Sequence, residues 1–121
     1  MKQEPSGKTV KNILIRIQVD EQQIPQAISW QADDAGPGEH SAKAMALRFW
    51  DEQSSNGMHI DLWTGAMTVD EMNAFVYQTL LELSESYRRA THDASGSSQL
   101  KEAASRFARY VQGKADANPK A

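Results

Sequence analysis

Residues 58–72 read MHIDLWTGAMTVDEM and join an alternating segment to a helix start. The first six residues alternate between an apolar set and a mixed set, namely Met58, Ile60 and Leu62 against His59, Asp61 and Trp63. A period of two predicts a strand with the apolar set facing a core and the other set facing outward. Asp61 and Trp63 would then lie on the outer face of this strand.

The second half of this stretch predicts the beginning of a long helix. Thr68 and Glu71 have the spacing of a capping box, in which each side chain accepts a hydrogen bond from the backbone N–H of the other residue. The predicted helix runs to about residue 92. Its buried stripe is Met72, Phe75, Val76, Leu80, Leu83 and Tyr87.

Upstream, alternation over residues 13–19 predicts a first strand, and residues 20–23 predict a turn. A second extended run follows from Ile24-Pro25 to Ala32, which together with the first predicts a β-hairpin. Residues 41–53 carry apolar side chains at helical spacing and predict a helix. Residues 54–57 would end that helix, with Gly57 free to take positive φ.

The C-terminal part predicts one more helix. Residues 94–98 indicate a flexible break, and apolar spacing from Leu100 onward predicts a helix that Gly113 stops. The order β-β-α-β-α-α predicts an α+β domain at residues 11–113, with a mostly antiparallel three-stranded sheet and helices packed on one face. Residues 1–10 and 114–121 are expected to be disordered tails. The exposed edges of such a sheet, or the long helix, would allow homodimers.

Composition narrows the classes of function. The formal net charge is −3, which argues against nucleic acid as a partner. The chain has no cysteine, which excludes disulfides and thiolate chemistry, and it has no apolar run long enough for a membrane span. Neither a secretory signal nor a catalytic or metal-binding motif is present, so we expect a cytoplasmic protein that is not an enzyme, without a metal or cofactor.

Five residues are candidates for binding, because large aromatic side chains and neighbouring polar groups often anchor partners: Trp30, Trp50, His59, Asp61 and Trp63. Ordinary packing is the competing explanation for Trp63, and it is the more common one. An alternative hypothesis is a small-molecule-binding or enzymatic domain, in which His59, Asp61 and His92 converge on a pocket.

Three segments together resemble the GldC family of gliding-motility proteins. The first is AKAM at residues 42–45 with Trp50-Asp51, and the second is IDLWT at residues 60–64 with Met67, VDEM at residues 69–72 and Phe75. The third is QTL at residues 78–80 with RAT at residues 89–91 and Asp93. The opening hairpin also fits, through residues 15–20, Pro25 and Ser29-Trp30, so the resemblance spans about residues 11–112.

This resemblance implies an accessory protein that assists bacterial surface gliding and has no enzymatic activity. Its partners would be proteins, including components of the gliding or secretion machinery. No catalytic residues are implied.

Overall fold

The computed structural model describes residues 9–117, which form five strands and two helices. The strands are β1 (Ile13–Val19), β2 (Pro25–Ala32), β3 (His40–Ala42), β4 (Ala44–Asp51) and β5 (Asn56–Trp63), and the helices are α1 (Val69–Thr91) and α2 (Ala94–Ala117). The chain divides into two compact units, Met1–Met67 with both sheets and Thr68–Ala121 with both helices. The α+β class predicted from the sequence is therefore confirmed. The predicted single three-stranded sheet is wrong, because β5 does not join β1 and β2 but pairs with β4 in a separate two-stranded sheet.

The predicted opening hairpin is confirmed. β1 pairs antiparallel with β2, and β2 begins at Pro25, where proline does not interrupt a ladder. The turn is held by Asp20, whose Oδ1 accepts hydrogen bonds from the backbone N–H groups of Gln22 at 2.8 Å and Ile24 at 3.0 Å. β3 adds to β2, and Ile28 at the centre of this three-stranded sheet is buried.

The predicted helix at residues 41–53 is wrong, because this segment forms β3 and β4. β4 pairs antiparallel with β5 from Ala44 opposite Trp63 to Asp51 opposite Asn56. The spacing that suggested a helix also fits a strand, since Met45, Leu47 and Phe49 alternate along the segment. Pairing with β5, which the local pattern does not reveal, decided between the two.

The turn between β4 and β5 also differs from expectation. Ser55 has the positive φ in this turn, at 50°, while Gly57 belongs to β5. Asp51 caps the turn by accepting a hydrogen bond from the backbone N–H of Ser54 at 2.8 Å. That bond lowers the pKa of the Asp51 carboxyl.

α1 begins where the sequence predicted. Thr68 is the N-cap, and both hydrogen bonds of the capping box to Glu71 are formed. The helix ends at Thr91, and His92 follows in the left-handed conformation with φ 60°, its N–H bonded to the carbonyl of Arg88.

The predicted flexible break at residues 94–98 is wrong, because these residues are the first turn of α2. Asp93 accepts a hydrogen bond from the N–H of Gly96, and the Ser97 hydroxyl donates to the Ser84 carbonyl on α1 at 2.9 Å. Small buried residues let the two helices approach closely, namely Ser84, Ser97 and Ala104. Gly113 does not stop the helix, which continues to Ala117. The predicted C-terminal tail at residues 114–121 is wrong for residues 114–117, which belong to α2. Of the tails predicted at residues 1–10 and 114–121, residues 1–8 and 118–121 lie outside the described residues.

Candidate functional site

The β4–β5 hairpin places four of the five candidate residues on one face. In its antiparallel register Arg48 lies opposite His59, and Trp50 lies opposite Gly57. Opposed residues share a face and the face alternates along each strand, so these residues lie on the same side as Asp61 and Trp63. We call this group the tryptophan face, and it consists of Arg48, Trp50, His59, Asp61 and Trp63.

At the centre of the tryptophan face, three polar side chains contact one another. Arg48 Nη1 donates to Asp61 Oδ1 at 2.6 Å, and Arg48 Nη2 donates to Asp61 Oδ2 at 3.1 Å. His59 Nδ1 lies 3.0 Å from the same Asp61 Oδ2. The two hydrogen bonds from Arg48 lower the pKa of the Asp61 carboxyl, and the contact with His59 adds to this effect. Asp61 in turn raises the pKa of Arg48.

A tryptophan lies on each side of this polar centre. Trp50 is 73% exposed and Trp63 is 56% exposed. The residues opposite them are small, Gly57 across from Trp50 and Ala44 across from Trp63. These neighbours cover little of either indole ring, so both rings remain accessible to a partner.

The opposite face of the hairpin is apolar, as the alternation of residues 58–63 predicted. Phe49 lies opposite Met58 and Leu47 opposite Ile60. Phe49, Met58 and Ile60 nevertheless stay exposed, so this half of the hairpin does not form the core expected from the sequence. A hollow of about 780 Å³ at the turn end is lined in part by Phe49 and Trp50.

Trp30 has a different environment from the other candidates. It lies on β2 and is half-buried, and its ring contacts His40 of β3 with a centroid distance of 4.8 Å. The Nε2 atom of His40 is 2.9 Å from the carbonyl oxygen of Ala35. Trp30 therefore contributes to packing in the three-stranded sheet.

The alternative hypothesis places His59, Asp61 and His92 around one pocket. In the structure, His59 contacts Asp61 within the sheet unit. His92 belongs to the helical unit, where it is the C-cap of α1. Within residues 9–117, no group of three or more histidine, aspartate or glutamate side chains is arranged to hold a metal ion. Nor does the described part of the chain contain a helix that is both long and apolar enough to cross a bilayer.

Arg48 is the member of the tryptophan face that sequence reasoning missed. Because residues 41–53 were predicted to form a helix, no contact was expected between Arg48 and Asp61, which is 13 residues away. The available signal was the alternation of Ala44, Ala46 and Arg48 against an apolar set, which places Arg48 on an outer strand face.

Comparison with protein-family models matches residues 25–113 to a family described as gliding motility-associated protein GldC-like. Comparisons with curated proteins and with solved structures gave no match. The matched region begins with β2 and extends into α2, so it covers well over half of the chain. It agrees with the resemblance carried by the IDLWT and VDEM motifs. The chain belongs to the GldC-like family of gliding motility-associated proteins.

Proposed function

We propose that this protein is a non-enzymatic accessory component of bacterial surface gliding, and that it acts by binding another protein through the tryptophan face. Membership of the GldC-like family supports the link to gliding. The observation that carries the binding role is the pair of exposed rings, Trp50 and Trp63, on one face of the β4–β5 hairpin.

Tryptophan is enriched among the residues that dominate binding energy at protein interfaces. Two such rings on one surface offer a partner two apolar anchors. The strands that carry them are paired over their full length, which limits the conformational freedom lost on binding.

The polar centre indicates which chemical groups the partner surface would present. Arg48 is already oriented by two hydrogen bonds to Asp61, and its remaining N–H groups are donors for backbone carbonyls or carboxylates. The partner surface would therefore combine apolar pockets for Trp50 and Trp63 with acceptor groups between them.

The proposal is tested in a gliding bacterium that carries this gene, by deleting it and restoring either the natural sequence or the double variant Trp50→Ala/Trp63→Ala. We expect the natural sequence to restore colony spreading and the double variant to fail at equal protein abundance. Affinity capture from the same cells should recover a motility or envelope component with the natural protein and at least about tenfold less with the variant.

Tyr110→Ala is the matched control, because Tyr110 is also an exposed aromatic residue but lies on α2. It should behave like the natural sequence in both measurements. Normal spreading by the double variant, or equal loss with Tyr110→Ala, would show that the tryptophan face is not the binding surface.

A further inference from the structure

Asn56 is the one asparagine of the chain that is followed by a glycine. The other three asparagines precede residues that carry a Cβ atom: Asn12, Asn73 and Asn118. A glycine nitrogen is the least hindered of the backbone nitrogens, because its residue has no Cβ. Attack of a backbone nitrogen on the preceding side-chain amide therefore meets the least steric hindrance at Asn56-Gly57.

The backbone nitrogen of Gly57 lies beside the side-chain amide of Asn56. The N–H of Gly57 donates a hydrogen bond to Asn56 Oδ1 at 2.9 Å. Asn56 Cγ is one carbonyl bond of about 1.2 Å from that oxygen, so the Gly57 nitrogen lies within about 4 Å of Cγ. The two atoms that would form a new bond are thus close together in the folded hairpin.

Both residues are exposed and lie at the end of a strand pair. Asn56 is the first residue of β5 and lies opposite Asp51, the last residue of β4. The sheet that they belong to has two strands, and the end of a two-stranded hairpin opens readily. Asn73, by comparison, lies inside α1, where helical hydrogen bonds hold the backbone. Water therefore reaches the Asn56 amide, and the backbone there can adjust to a ring.

We propose that Asn56 is a site of spontaneous deamidation, at which the nitrogen of Gly57 closes a succinimide ring. The Gly57 nitrogen bonds to Asn56 Cγ, the Cγ–Nδ2 bond breaks, and the proton of the Gly57 nitrogen leaves with Nδ2 as ammonia. Water then opens the ring. Cleavage at Cγ gives aspartate, and cleavage at the backbone carbonyl carbon gives isoaspartate, in which the chain runs through Cγ.

Either product changes the end of the β4–β5 hairpin. A carboxylate at residue 56 faces the carboxylate of Asp51 across the strand pair. Like charges directly opposite each other destabilise a strand pair. Isoaspartate also adds one atom to the backbone before Gly57, which is the residue opposite Trp50. The modification should therefore weaken the hairpin that carries the tryptophan face.

The test keeps the full-length protein folded for several days in mildly alkaline buffer at physiological temperature, followed by peptide mapping with mass spectrometry. We expect residue 56 to gain about 1 Da, the difference between an amide and a carboxylic acid. The modified fraction should be at least about tenfold higher at Asn56 than at Asn12 or Asn73. Chromatography separates the aspartate and isoaspartate peptides, and both should be present.

Gly57→Ala is the matched variant, because nothing lies within 4 Å of a Cβ at Gly57 and the fold accommodates the methyl group. The added Cβ should slow the modification of Asn56 at least about tenfold. Tryptophan fluorescence reports on the sheet unit, which contains all three tryptophans. Incubation should lower the unfolding midpoint of the natural protein and leave that of Gly57→Ala unchanged.

An unmodified Asn56 after incubation, or equal modification of Asn56, Asn12 and Asn73, would overturn the proposal. Equal rates in the natural protein and Gly57→Ala would show that the Gly57 nitrogen does not close the ring. A modified protein with an unchanged unfolding midpoint would contradict the predicted weakening of the hairpin.

Discussion

At the scale of single residues, Asp61 holds the centre of the tryptophan face. Its carboxylate accepts both hydrogen bonds from Arg48 and contacts His59, and these contacts lower its pKa below the ordinary value of 3.8. A carboxyl with a lower pKa in the folded state stabilises that state above its ordinary pKa. The contribution is lost as the pH falls through the folded-state value.

We therefore predict that Asp61→Asn lowers the unfolding midpoint at pH 7. The difference in unfolding midpoint between the variant and the natural protein should narrow as the pH falls from about 5 towards 2. Intrinsic fluorescence is a suitable probe, because all three tryptophans lie in the sheet unit. In an Arg48→Gln background the same substitution should have a smaller effect. A pH-independent difference would show that the ion pair does not act through the charge of Asp61.

Gly96 has no side chain, and neighbouring residues lie in the space that a Cβ atom would occupy. A Cβ at Gly96 would lie 2.6 Å from Cε2 of Tyr87 and 2.8 Å from Oδ2 of Asp93. Asp93 cannot shift freely, because it accepts the hydrogen bond from the N–H of Gly96 that caps α2.

We predict that Gly96→Ala destabilises the helical unit by about 1 kcal/mol or more, although alanine favours helices. Gly113→Ala is the control, because nothing lies within 4 Å of its Cβ position in the same helix. It should stabilise the unit by about 0.5–1 kcal/mol. Chemical denaturation followed by circular dichroism compares the two, and a stabilising Gly96→Ala would contradict the close approach seen here.

At the scale of elements, α1 depends on its first turn. Thr68 accepts a hydrogen bond from the N–H of Glu71 at 3.0 Å, and Glu71 accepts one from the N–H of Thr68, also at 3.0 Å. Asp70 and Glu71 also place negative charge at the positive end of the helix. These contacts are local in sequence, so they form wherever α1 forms.

We predict that Thr68→Ala lowers the free energy of unfolding of the helical unit by about 1 kcal/mol. Thr68→Ser should lower it by much less, because serine supplies the same hydroxyl acceptor. Denaturant titration monitored by circular dichroism measures both. If the alanine and serine variants were equally destabilised, the capping hydrogen bond would not be the cause.

At the scale of the whole molecule, the formal net charge is −3, which argues against nucleic acid as a partner. Some arginine and lysine side chains also form ion pairs on the surface. Examples are Arg109 with Glu102 at 3.2 Å and Lys11 with Asp34 at 2.7 Å. Binding to a nucleic-acid backbone requires cations that can replace condensed counterions.

We predict that the intact protein does not retard duplex DNA or single-stranded RNA in a gel at about 150 mM salt, even at about 100 μM protein. Glu102→Gln should not change this result, although it releases Arg109. Retardation of either nucleic acid at low micromolar protein would contradict this prediction.

Much of the fold follows from local patterns that the sequence displays by itself. Alternation in residues 13–19 and 58–63 determined β1 and most of β5, and the capping box determined the start of α1. These features depend on neighbouring residues only, so a single sequence is enough to read them. The IDLWT and VDEM motifs also identified the family.

Tertiary structure decided the rest. Residues 44–51 have a spacing that fits either helix or strand, and only pairing with β5 selected the strand and brought Arg48 to Asp61. The first turn of α2 has a loop-like composition, and only its close contact with α1 at Gly96 and Ser97 made it helical. Both decisions depend on contacts between residues distant in sequence, whose free energy outweighs local preference, so the local pattern alone does not distinguish the alternatives.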